Sequence, residues 1–451
     1  MNLHGLLTQR AATSGPIRIG VIGAGKFASM FFTQVLHTPG IHLVGVADLD
    51  VDKARGALAR TGWPAERVGS SSLAEAMRTG GTHVGDSADD LIAVPGLEVV
   101  LEITGNPIAG ARHAESAIDA GCHVVMVNVE ADCLLGPVLA DKARAAGVVY
   151  SMAYGDQPAL ISELVDWCRT VGFDVVAAGK GTKYLPEYTT STPDTVWDHY
   201  GFTPEQLATG DFNPKMFNSF LDGTKSAIEM AAVANATGLL PQDKGLQFPP
   251  VDVDDLATVL RPREAGGELD RRGTVEVISS LRRDGSPLAR DLRWGVYITF
   301  EARTDYAVQC FAEYGMQTDP TGRFGALYRP YHLIGLELGV SIASAVLRQE
   351  ATGAPAGFHG DVVAVAKRDL KAGEILDGEG GYMVRGALAP ARASLDTRAM
   401  PIGLAGGFPL RNDVPAGAVL GYDDVAVDET VTAVRLRRKL ESSFLTAEHA
   451  R

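Results

Sequence analysis

Residues 17–28, Ile17-Arg18-Ile19-Gly20-Val21-Ile22-Gly23-Ala24-Gly25-Lys26-Phe27-Ala28, decide the fold of this chain. The first half is an apolar run typical of a buried strand, and a helical pattern follows it. Gly23 allows a tight turn, Gly25 allows a phosphate to approach the backbone, and Ala28 allows the helix to pack closely on the strand. The stretch therefore predicts a strand, turn and helix that bind a dinucleotide, with the pyrophosphate at the helix N-terminus.

A second apolar run, residues 41–47, ends at Asp48, 20 positions after Ala28. An acidic residue at this distance normally accepts the ribose hydroxyls of adenosine, which favours NAD. Lys53 and Arg55 lie just beyond it and could tolerate a 2′-phosphate, so the choice between NAD and NADP stays open. The alternative interpretation is a Gly-rich turn that binds no ligand.

Composition restricts the partners of the chain. It has 451 residues, 46% hydrophobic and 21% charged, which gives room for two or three domains. The net charge of −14 argues against nucleic acid and anionic membrane surfaces, so an anionic ligand would need a local cluster of bases. Four widely separated cysteines predict free thiols in a reducing compartment, and no apolar run approaches a membrane span. We therefore expect a cytoplasmic protein.

Short β-rich runs alternate with helical patterns up to about residue 153. This alternation predicts parallel βαβ units and a doubly wound α/β sheet, with residues 1–15 unassigned and 61–90 an irregular insertion. The predicted strands are 17–22, 41–47, 98–103, 123–128 and 148–152. Ligands bind at the carboxyl ends of such strands, so the turns at Thr104-Gly105 and Asn128 are expected at the nicotinamide, unless they serve only as turns. The predicted cofactor-binding residues are Gly23, Gly25, Lys26, Phe27, Ala28, Asp48, Thr104, Gly105 and Asn128.

The segment after residue 153 predicts a second domain that ends near residue 355. Asp156 precedes a predicted helix, residues 159–171, as an N-cap or an acid. A predicted strand then leads to Gly179-Lys180-Gly181-Thr182-Lys183, whose two lysines among glycines resemble an anion cradle. Residues 273–280, 294–301 and 306–313 have the alternating pattern of antiparallel strands. Arg329 and His332 precede a predicted helix, residues 334–348, and could reach a site or be structural.

Residues 213–235 have the pattern of one helix with a polar stripe. The stripe recurs at spacings of three and four and comprises Lys215, Ser219, Asp222, Lys225, Ser226 and Glu229. A solvated face held by ion pairs is the alternative to a functional face. Gly223-Thr224 in the middle and the Ala-rich continuation indicate close packing.

The last part, residues 356–451, alternates short β-like runs with Gly-containing turns. Residues 365–376, residues 401–405 and Val414-Pro-Ala-Gly417 resemble the SAF domain, a small β-clip-like module. Together with the dinucleotide turn, Gly155-Asp-Gln-Pro158, residues 179–183 and Asn213-Pro-Lys-Met-Phe217, they make almost the whole chain similar to homoserine-dehydrogenase-like oxidoreductases with a C-terminal SAF domain. Some members of that group act as 1-deoxy-D-xylulose 5-phosphate reductoisomerase-like enzymes.

True homoserine dehydrogenase is the obvious rival. Asp222-Gly223-Thr224-Lys225-Ser226 partly matches its Asn-Gly-Thr-Thr-Asn stretch. However, its Asn-Lys pair is replaced by Asn128-Val129, and no segment matches its catalytic Asp-x-x-Gly-x-Asp-Ala-x-x-Lys.

The resemblance implies a Rossmann-type α/β domain (1–153), an α+β catalytic domain (154–355) and a β-rich SAF domain (356–451). It implies an NAD(P)-dependent oxidoreductase, a reductoisomerase acting on a small phosphorylated or anionic hydroxy-carbonyl compound. The alternatives are homoserine-dehydrogenase-type alcohol oxidation and a non-catalytic, cofactor-binding regulatory protein. We expect a homo-oligomer, a dimer or tetramer, whose SAF domain covers the site or makes subunit contacts.

Basic and acidic residues of the second domain supply the predicted chemistry. Lysines or a divalent metal can stabilise an enediolate or alkoxide, although no motif marks a metal site. The predicted phosphate and oxyanion ligands are Lys180, Lys183 and Lys215; Lys225 is a proton-donor candidate; Asp156, Asp222 and Glu229 are acid–base or metal candidates.

Overall fold

The computed structural model describes residues 2–209 and 212–449. They form two compact units, each built from several segments of the chain. The first unit contains the residues up to Ala159, Leu333–Ala354 and Arg435–Leu440. The second contains Leu160–His332, Pro355–Val434 and the residues from Glu441 on.

A parallel sheet of six strands is the centre of the first unit. Its order is β3-β2-β1-β4-β5-β6, formed by β1 (Ile17–Ile22), β2 (Ile41–Ala47), β3 (His83–Gly85), β4 (Val99–Glu102), β5 (His123–Met126) and β6 (Tyr150–Met152). Two βαβ halves meet between β1 and β4, which is the point where a doubly wound sheet binds a dinucleotide. Ile19, Val21 and Leu101 are fully buried in the core of this sheet. The predicted fold class is confirmed.

Helices cover this sheet: α1 (Leu3–Ser14), α2 (Lys26–Val35), α3 (Val51–Arg60), α4 (Leu73–Thr79), α5 (Ala88–Ile92), α6 (Pro107–Asp119) and α7 (Val129–Ala146). Residues 1–15, which the sequence left unassigned, therefore contain a helix. Residues 61–90 are not an irregular insertion, because they form α4, the edge strand β3 and the start of α5. Ser72 caps α4 by accepting the Glu75 amide at 3.2 Å, a local signal that the sequence contains.

The second unit is built on a mixed sheet of five strands, ordered β11-β10-β7-β9-β8. Its elements up to residue 329 are α8 (Gln157–Thr170), which begins at the unit boundary, β7 (Asp174–Thr182), α9 (Val196–Tyr200), α10 (Pro204–Thr209), α11 (Pro214–Leu221), α12 (Thr224–Thr237), β8 (Leu240–Pro241), α13 (Leu256–Val259), β9 (Thr274–Ser279), β10 (Val296–Glu301), α14 (Asp305–Glu313) and β11 (Phe324–Arg329). Strand β7 runs parallel to β9 and antiparallel to β10.

Three sequence predictions in this unit are wrong. Residues 273–280, predicted as an antiparallel strand, contain β9, which runs parallel to both β7 and β8. Residues 306–313 form helix α14 rather than a strand, because Thr304 caps its first turn by accepting the Ala307 amide at 3.2 Å. The strand that pairs antiparallel with β10 on the side away from β7 is β11 instead. Residues 213–235 form two helices rather than one, since Gly223 has a left-handed φ of +88°. The Asp222 carboxylate accepts the Thr224 amide at 2.9 Å and fixes this break, which divides the predicted polar stripe.

The remaining elements are α15 (Gly339–Arg348), β12 (Gly360–Ala366), β13 (Ile375–Asp377), β14 (Val384–Pro390), α16 (Ala391–Asp396), β15 (Gly406–Pro409) and α17 (Thr432–His449). Strand β12 pairs with β14 and β13 with β15, both antiparallel. Short 3-10 turns lie at Ala65–Arg67, Pro186–Thr190, Val253–Asp255, Arg263–Ala265, Ile402–Leu404 and Tyr422–Asp424. No described helix has both the length and the apolarity that a membrane crossing requires.

The SAF-like strands pack on α12 within the second unit. The Gly386 amide of β14 donates to the Thr224 hydroxyl at 2.8 Å, and the His359 amide donates to the Asn235 side chain at 2.7 Å. The boundaries at residues 153 and 355 stay predictions, and Leu333–Ala354, expected in the second domain, lies in the first unit.

Candidate active site

The turn between β1 and α2 has the geometry that a pyrophosphate requires. Gly23 has a φ of +101°, and a Cβ added there would lie 3.0 Å from the Ile103 carbonyl carbon, so only glycine fits. A Cβ added at Gly25 would enter open space in front of α2. No side chain caps this helix and its first turn has no acidic residue. Its amides and its positive dipole end therefore suit the dinucleotide phosphates.

Asp48 lies beside this turn. Its carboxylate accepts the Ala24 amide at 2.6 Å and the Asp50 amide at 2.9 Å. A carboxylate has lone pairs beyond these two bonds, so its predicted contact with the ribose hydroxyls is compatible with this arrangement and stays a prediction. Ala28 is fully buried, as close packing of α2 on the sheet requires, while Lys26 and Phe27 form the first turn of α2.

A buried carboxylate holds the two turns expected at the nicotinamide. Glu102, at the end of β4, accepts the Thr104 hydroxyl at 2.6 Å and the Asn128 amide at 2.9 Å, and lies 3.1 Å from the His113 ring. Asn128 also caps α7 by accepting the Ala131 amide at 3.1 Å. Glu102 and His113 were missed by the sequence analysis, because only the fold brings them together. The predicted contacts of Thr104, Gly105 and Asn128 with the cofactor stay predictions.

The second unit contains a separate cluster at one edge of its sheet, which we call the β7 edge site: Lys180, Lys183, Glu229 and Arg293. Lys180 is aligned with Val296 on β10, so the end of β7 lies beside the start of β10. Lys180 forms an ion pair with Glu229 of α12, and their side chains are only 7% and 4% exposed. Lys180 is therefore half of a buried ion pair, and its predicted role as a phosphate or oxyanion ligand stays a prediction.

Lys183 and Arg293 flank one aromatic ring. The Lys183 ammonium lies 5.5 Å from the centroid of the Tyr200 ring, and the Arg293 guanidinium lies 5.8 Å from the same centroid. Lys183 also donates to the His199 carbonyl. Burial, and then the charge of Arg293, lower the pKa of Lys183. Within residues 2–209 and 212–449 neither cation has a carboxylate partner, so the pair forms a local positive centre.

Arg293 was not among the residues predicted from the sequence. The local signal is only an arginine before a strand, and its place beside Lys183 depends on the pairing of β7 with β10. Lys215, by contrast, is exposed on α11 and donates to the Asp377 carbonyl at 3.2 Å. Its predicted role as a phosphate or oxyanion ligand stays a prediction.

Asp222 is buried in an ion pair with Lys367. Its carboxylate is 2.6 Å from the Lys367 ammonium, and the side chains are 0% and 2% exposed. Lys367 also donates to the carbonyls of Ser191 and Gly381 at 2.9 and 3.0 Å. Burial raises the pKa of Asp222, and Lys367 acts in the opposite direction. These contacts favour a structural role for Asp222, and its predicted acid–base or metal role stays a prediction.

Lys225 and Asp156 are the two remaining candidates. Lys225 is half-buried on α12, one turn before Glu229. Asp156 lies in the first unit, where its carboxylate accepts the Gln157 amide at 2.9 Å at the start of α8. Their catalytic roles stay predictions. In the described ranges no group of three His, Cys, Asp or Glu side chains could hold a metal ion.

The fold and the dinucleotide turn define an NAD(P)-binding α/β protein, and comparisons with protein families make it an NAD(P)-dependent oxidoreductase. Residues 23–152 match the family model of the homoserine dehydrogenase NAD binding domain, and residues 155–338 match that of the oxidoreductase DRL catalytic domain. Residues 361–426 match the SAF domain. The three matches confirm the architecture that the sequence motifs predicted.

Solved structures show only distant similarity. Myo-inositol dehydrogenase from Lactobacillus casei, in complex with NAD(H) and myo-inositol, is 16% identical over 40% of this chain and 50% of its own, with a TM-score of 0.28. The WlbA dehydrogenase from Bordetella pertussis, in complex with NADH and UDP-GlcNAcA, is 18% identical over 37% of this chain and 44% of its own, with a TM-score of 0.26. Dihydrodipicolinate reductase from Paenisporosarcina sp. TG-14, with bound dipicolinate, is 12% identical over 74% of this chain and 97% of its own, with a TM-score of 0.35.

The chain thus spans half or less of the length of the first two dehydrogenases. With TM-scores this low, none of these structures supports a conclusion about substrate or chemistry. A comparison with curated protein sequences found no match.

The dinucleotide turn can be tested by changing Gly25. We expect Gly25→Val to abolish measurable NADH and NADPH binding in a fluorescence titration, because the new side chain fills the space in front of α2 that the pyrophosphate needs. Gly69→Val is the control, since Gly69 is exposed, has no positive φ, and a Cβ there would make only ordinary contacts, the nearest at 3.4 Å from the Ala65 carbonyl oxygen. Cofactor affinity that survives in a folded Gly25→Val protein would contradict this assignment.

Proposed function

We propose that the chain is an NAD(P)-dependent oxidoreductase that acts on a small phosphorylated or anionic hydroxy-carbonyl compound. A reductoisomerase that acts on a compound like 1-deoxy-D-xylulose 5-phosphate is the first candidate reaction. The observation that carries this proposal is the pair of cations Lys183 and Arg293, held on one ring with no acidic partner in the described part of the chain.

The pair stands out because the chain is acidic. The chain has a net charge of −14. Other arginines of the second unit are paired with carboxylates on the surface, such as Arg290 with Asp254 at 2.5 Å and Arg303 with Asp174 at 2.6 Å. Two cations that share a half-buried site repel each other, and this repulsion is relieved when an anion binds between them. An arginine also offers several N–H donors to a phosphate or carboxylate, so the pair suits the anionic end of a substrate.

The buried Lys180–Glu229 pair supplies a second requirement of the proposed reaction. Moving a carbon skeleton or oxidising an alcohol creates negative charge on an oxygen, and a fixed ammonium in a dry site stabilises that charge far better than water does. The ammonium of Lys180 is fixed in this way by Glu229. The nicotinamide, when bound, exchanges hydride with the substrate carbon.

Homoserine-dehydrogenase-type alcohol oxidation is the second candidate. It is favoured by the match of residues 23–152 to the NAD binding domain of that enzyme. Homoserine carries a carboxylate, which the same cations could bind, so a substrate panel has to separate the two reactions.

We also propose a cytoplasmic homo-oligomer. The described cysteines Cys122, Cys133, Cys168 and Cys310 are free thiols, as in proteins kept reduced. Sedimentation velocity of the purified protein would test the dimer or tetramer, and a monomer at all concentrations would contradict it.

Substitution of the two cations tests the proposed substrate class. We expect Lys183→Met and Arg293→Met each to raise the KM for the anionic substrate about 10- to 150-fold, with little change in kcat. This change corresponds to a loss of roughly 1.5–3 kcal/mol of binding free energy. Steady-state kinetics with NADPH and NADH would use a panel of sugar phosphates, including 1-deoxy-D-xylulose 5-phosphate, together with homoserine. Arg290→Met, which removes an exposed cation of the same loop, is the control and should leave KM unchanged.

The panel also separates the candidate reactions. If homoserine is turned over and neither Lys183→Met nor Arg293→Met changes its KM, the proposed anion site is wrong and simple dehydrogenation is favoured. Cofactor binding without turnover of any panel member would instead favour the non-catalytic regulatory protein.

A further inference from the structure

His332 lies at the same sheet edge as the Lys180–Glu229 pair. Strand β11 ends at Arg329, which is aligned with Val296 on β10, and Val296 is aligned with Lys180 on β7. The chain then turns at residues 330–331 and places His332 beside the start of β10. There the His332 Nδ1 atom is 2.7 Å from the Trp294 carbonyl oxygen.

This hydrogen bond determines which nitrogen of the imidazole can accept a proton. A carbonyl oxygen only accepts, so Nδ1 must carry the hydrogen and donate it. In the neutral ring the Nε2 atom is then an acceptor with a free lone pair. A backbone carbonyl that orients one nitrogen in this way leaves the other ready to take a proton from a ligand.

The charges and the exposure around the ring suit this use. Lys180, Glu229 and Arg329 are the charged groups that act on the imidazole, from β7, α12 and β11 respectively. The Lys180 and Glu229 side chains are almost completely buried, whereas His332 is half-buried. His332 is therefore the most accessible of the side chains Lys180, Glu229 and His332 to a ligand at the sheet edge.

We propose that His332 is the proton-transfer residue of the β7 edge site, acting through Nε2. This inference rests on the proposed oxidoreductase function. When an alcohol is oxidised, its O–H bond breaks, the proton passes to Nε2, and the electron pair stays on oxygen and forms the carbonyl as hydride leaves the carbon. The imidazolium then loses its proton to water, and reduction runs these steps in reverse.

The surroundings of His332 also predict the pH dependence. Burial is the main cause that lowers the pKa of His332; the charges of Lys180 and Arg329 act in the same direction, while the Trp294 carbonyl and Glu229 act in the opposite one. The ring is therefore neutral and able to accept a proton at neutral pH. The kcat/KM of alcohol oxidation should rise as the pH rises through a value below the ordinary histidine pKa, and then level off.

The test uses the full-length protein and two variants. His332→Asn keeps an N–H donor near the Nδ1 position, so it preserves the bond to the Trp294 carbonyl and removes only the base. We expect its kcat to fall by about 10²- to 10⁴-fold, with unchanged cofactor affinity and with loss of the acidic limb of the pH profile. His37→Asn, at an exposed position after α2, is the control. The readouts are oxidation of the best panel alcohol with NAD⁺ or NADP⁺ and an NADH titration.

His332→Gly provides a second arm, in which added imidazole should restore part of the activity. A His332→Asn protein with normal kcat and an unchanged pH profile would overturn the inference, and so would the absence of rescue by imidazole. If the unaltered protein turns over no alcohol of the panel, the proposed function fails and this inference fails with it. If turnover persists in a variant without His332, this inference is wrong but the proposed function stands.

Discussion

Replacing Lys367 with methionine should lower the free energy of unfolding by about 3–5 kcal/mol, one of the largest stability effects expected in this chain. The Asp222 carboxylate is fully buried, and Lys367, 2.6 Å away, is the cation that neutralises it. Removing one partner leaves a buried charge without compensation. Urea unfolding would measure the loss, and Lys371→Met, which breaks an exposed pair with Asp413, should change stability by less than about 1 kcal/mol.

A double substitution separates this pair from general damage to the core. Asp222→Asn removes the charge while its side-chain oxygen can still accept the Thr224 amide that fixes the helix break. The Asp222→Asn, Lys367→Met double variant should therefore be more stable than Lys367→Met alone. If the two losses simply add, the pair is not coupled and this account is wrong.

The stability of Lys367→Met should also depend on pH. Burial raises the pKa of Asp222, and without Lys367 nothing in the ion pair opposes that shift. A carboxyl whose pKa is higher in the folded than in the unfolded state destabilises the fold only when it is ionised. The Lys367→Met variant should therefore regain stability relative to the unaltered protein as the pH falls toward the carboxyl range. The deficit should grow as the pH rises.

This pair changes what can be expected of the SAF domain. From its sequence, the SAF domain is expected to cover the site or to make subunit contacts. A truncation near residue 356 is the direct test of that expectation. Lys367 shows why that test is unsuitable: shortening the chain there removes the partner of a buried carboxylate in α11–α12. Loss of activity in a truncated protein would therefore report damage to the second unit, and point substitutions are the better experiment.

Local sequence signals were sufficient for the dinucleotide turn and for most strands of the first unit. Gly23 and Gly25 lie within a few residues of the strand and helix that they connect, so the dinucleotide turn could be predicted without knowing any distant contact. The same holds for the alternation of strands and helices that gave the doubly wound sheet. The strand predicted at residues 306–313 failed because a short alternating run fits either element, and the cap at Thr304 is what selects the helix.

The candidate site of the second unit could be predicted only in part. Lys180, Lys183 and Glu229 were found because glycines or helical spacing mark them. Arg293 was missed, because its position follows from the pairing of β7 and β10, which no local pattern shows. Helical spacing also grouped Asp222 with Glu229. Because the helix breaks at Gly223, the two carboxylates pair with different lysines, Asp222 with Lys367 and Glu229 with Lys180.

The Lys180–Glu229 pair gives an expected effect on activity as large as that of His332. We expect Glu229→Gln and Lys180→Met each to lower kcat by about 10²- to 10⁴-fold while NADH affinity is unchanged, because the first frees the ammonium that must be fixed and the second removes it. Each single variant should also lose stability, since it leaves a buried charge unpaired. Kinetics with the best panel substrate and urea unfolding of the same samples provide both measurements.

The double variant distinguishes a functional pair from a structural one. Glu229→Gln with Lys180→Met removes both charges, so it should recover much of the stability that either single change loses, as the Asp222–Lys367 double variant should. Its activity should stay as low as that of Lys180→Met, because the fixed ammonium is still missing. The Asp222→Asn, Lys367→Met protein, in contrast, should keep its kcat wherever it remains folded. If activity returns together with stability at Lys180–Glu229, this pair holds the fold only, and the charge that stabilises the substrate oxygen must come from another group.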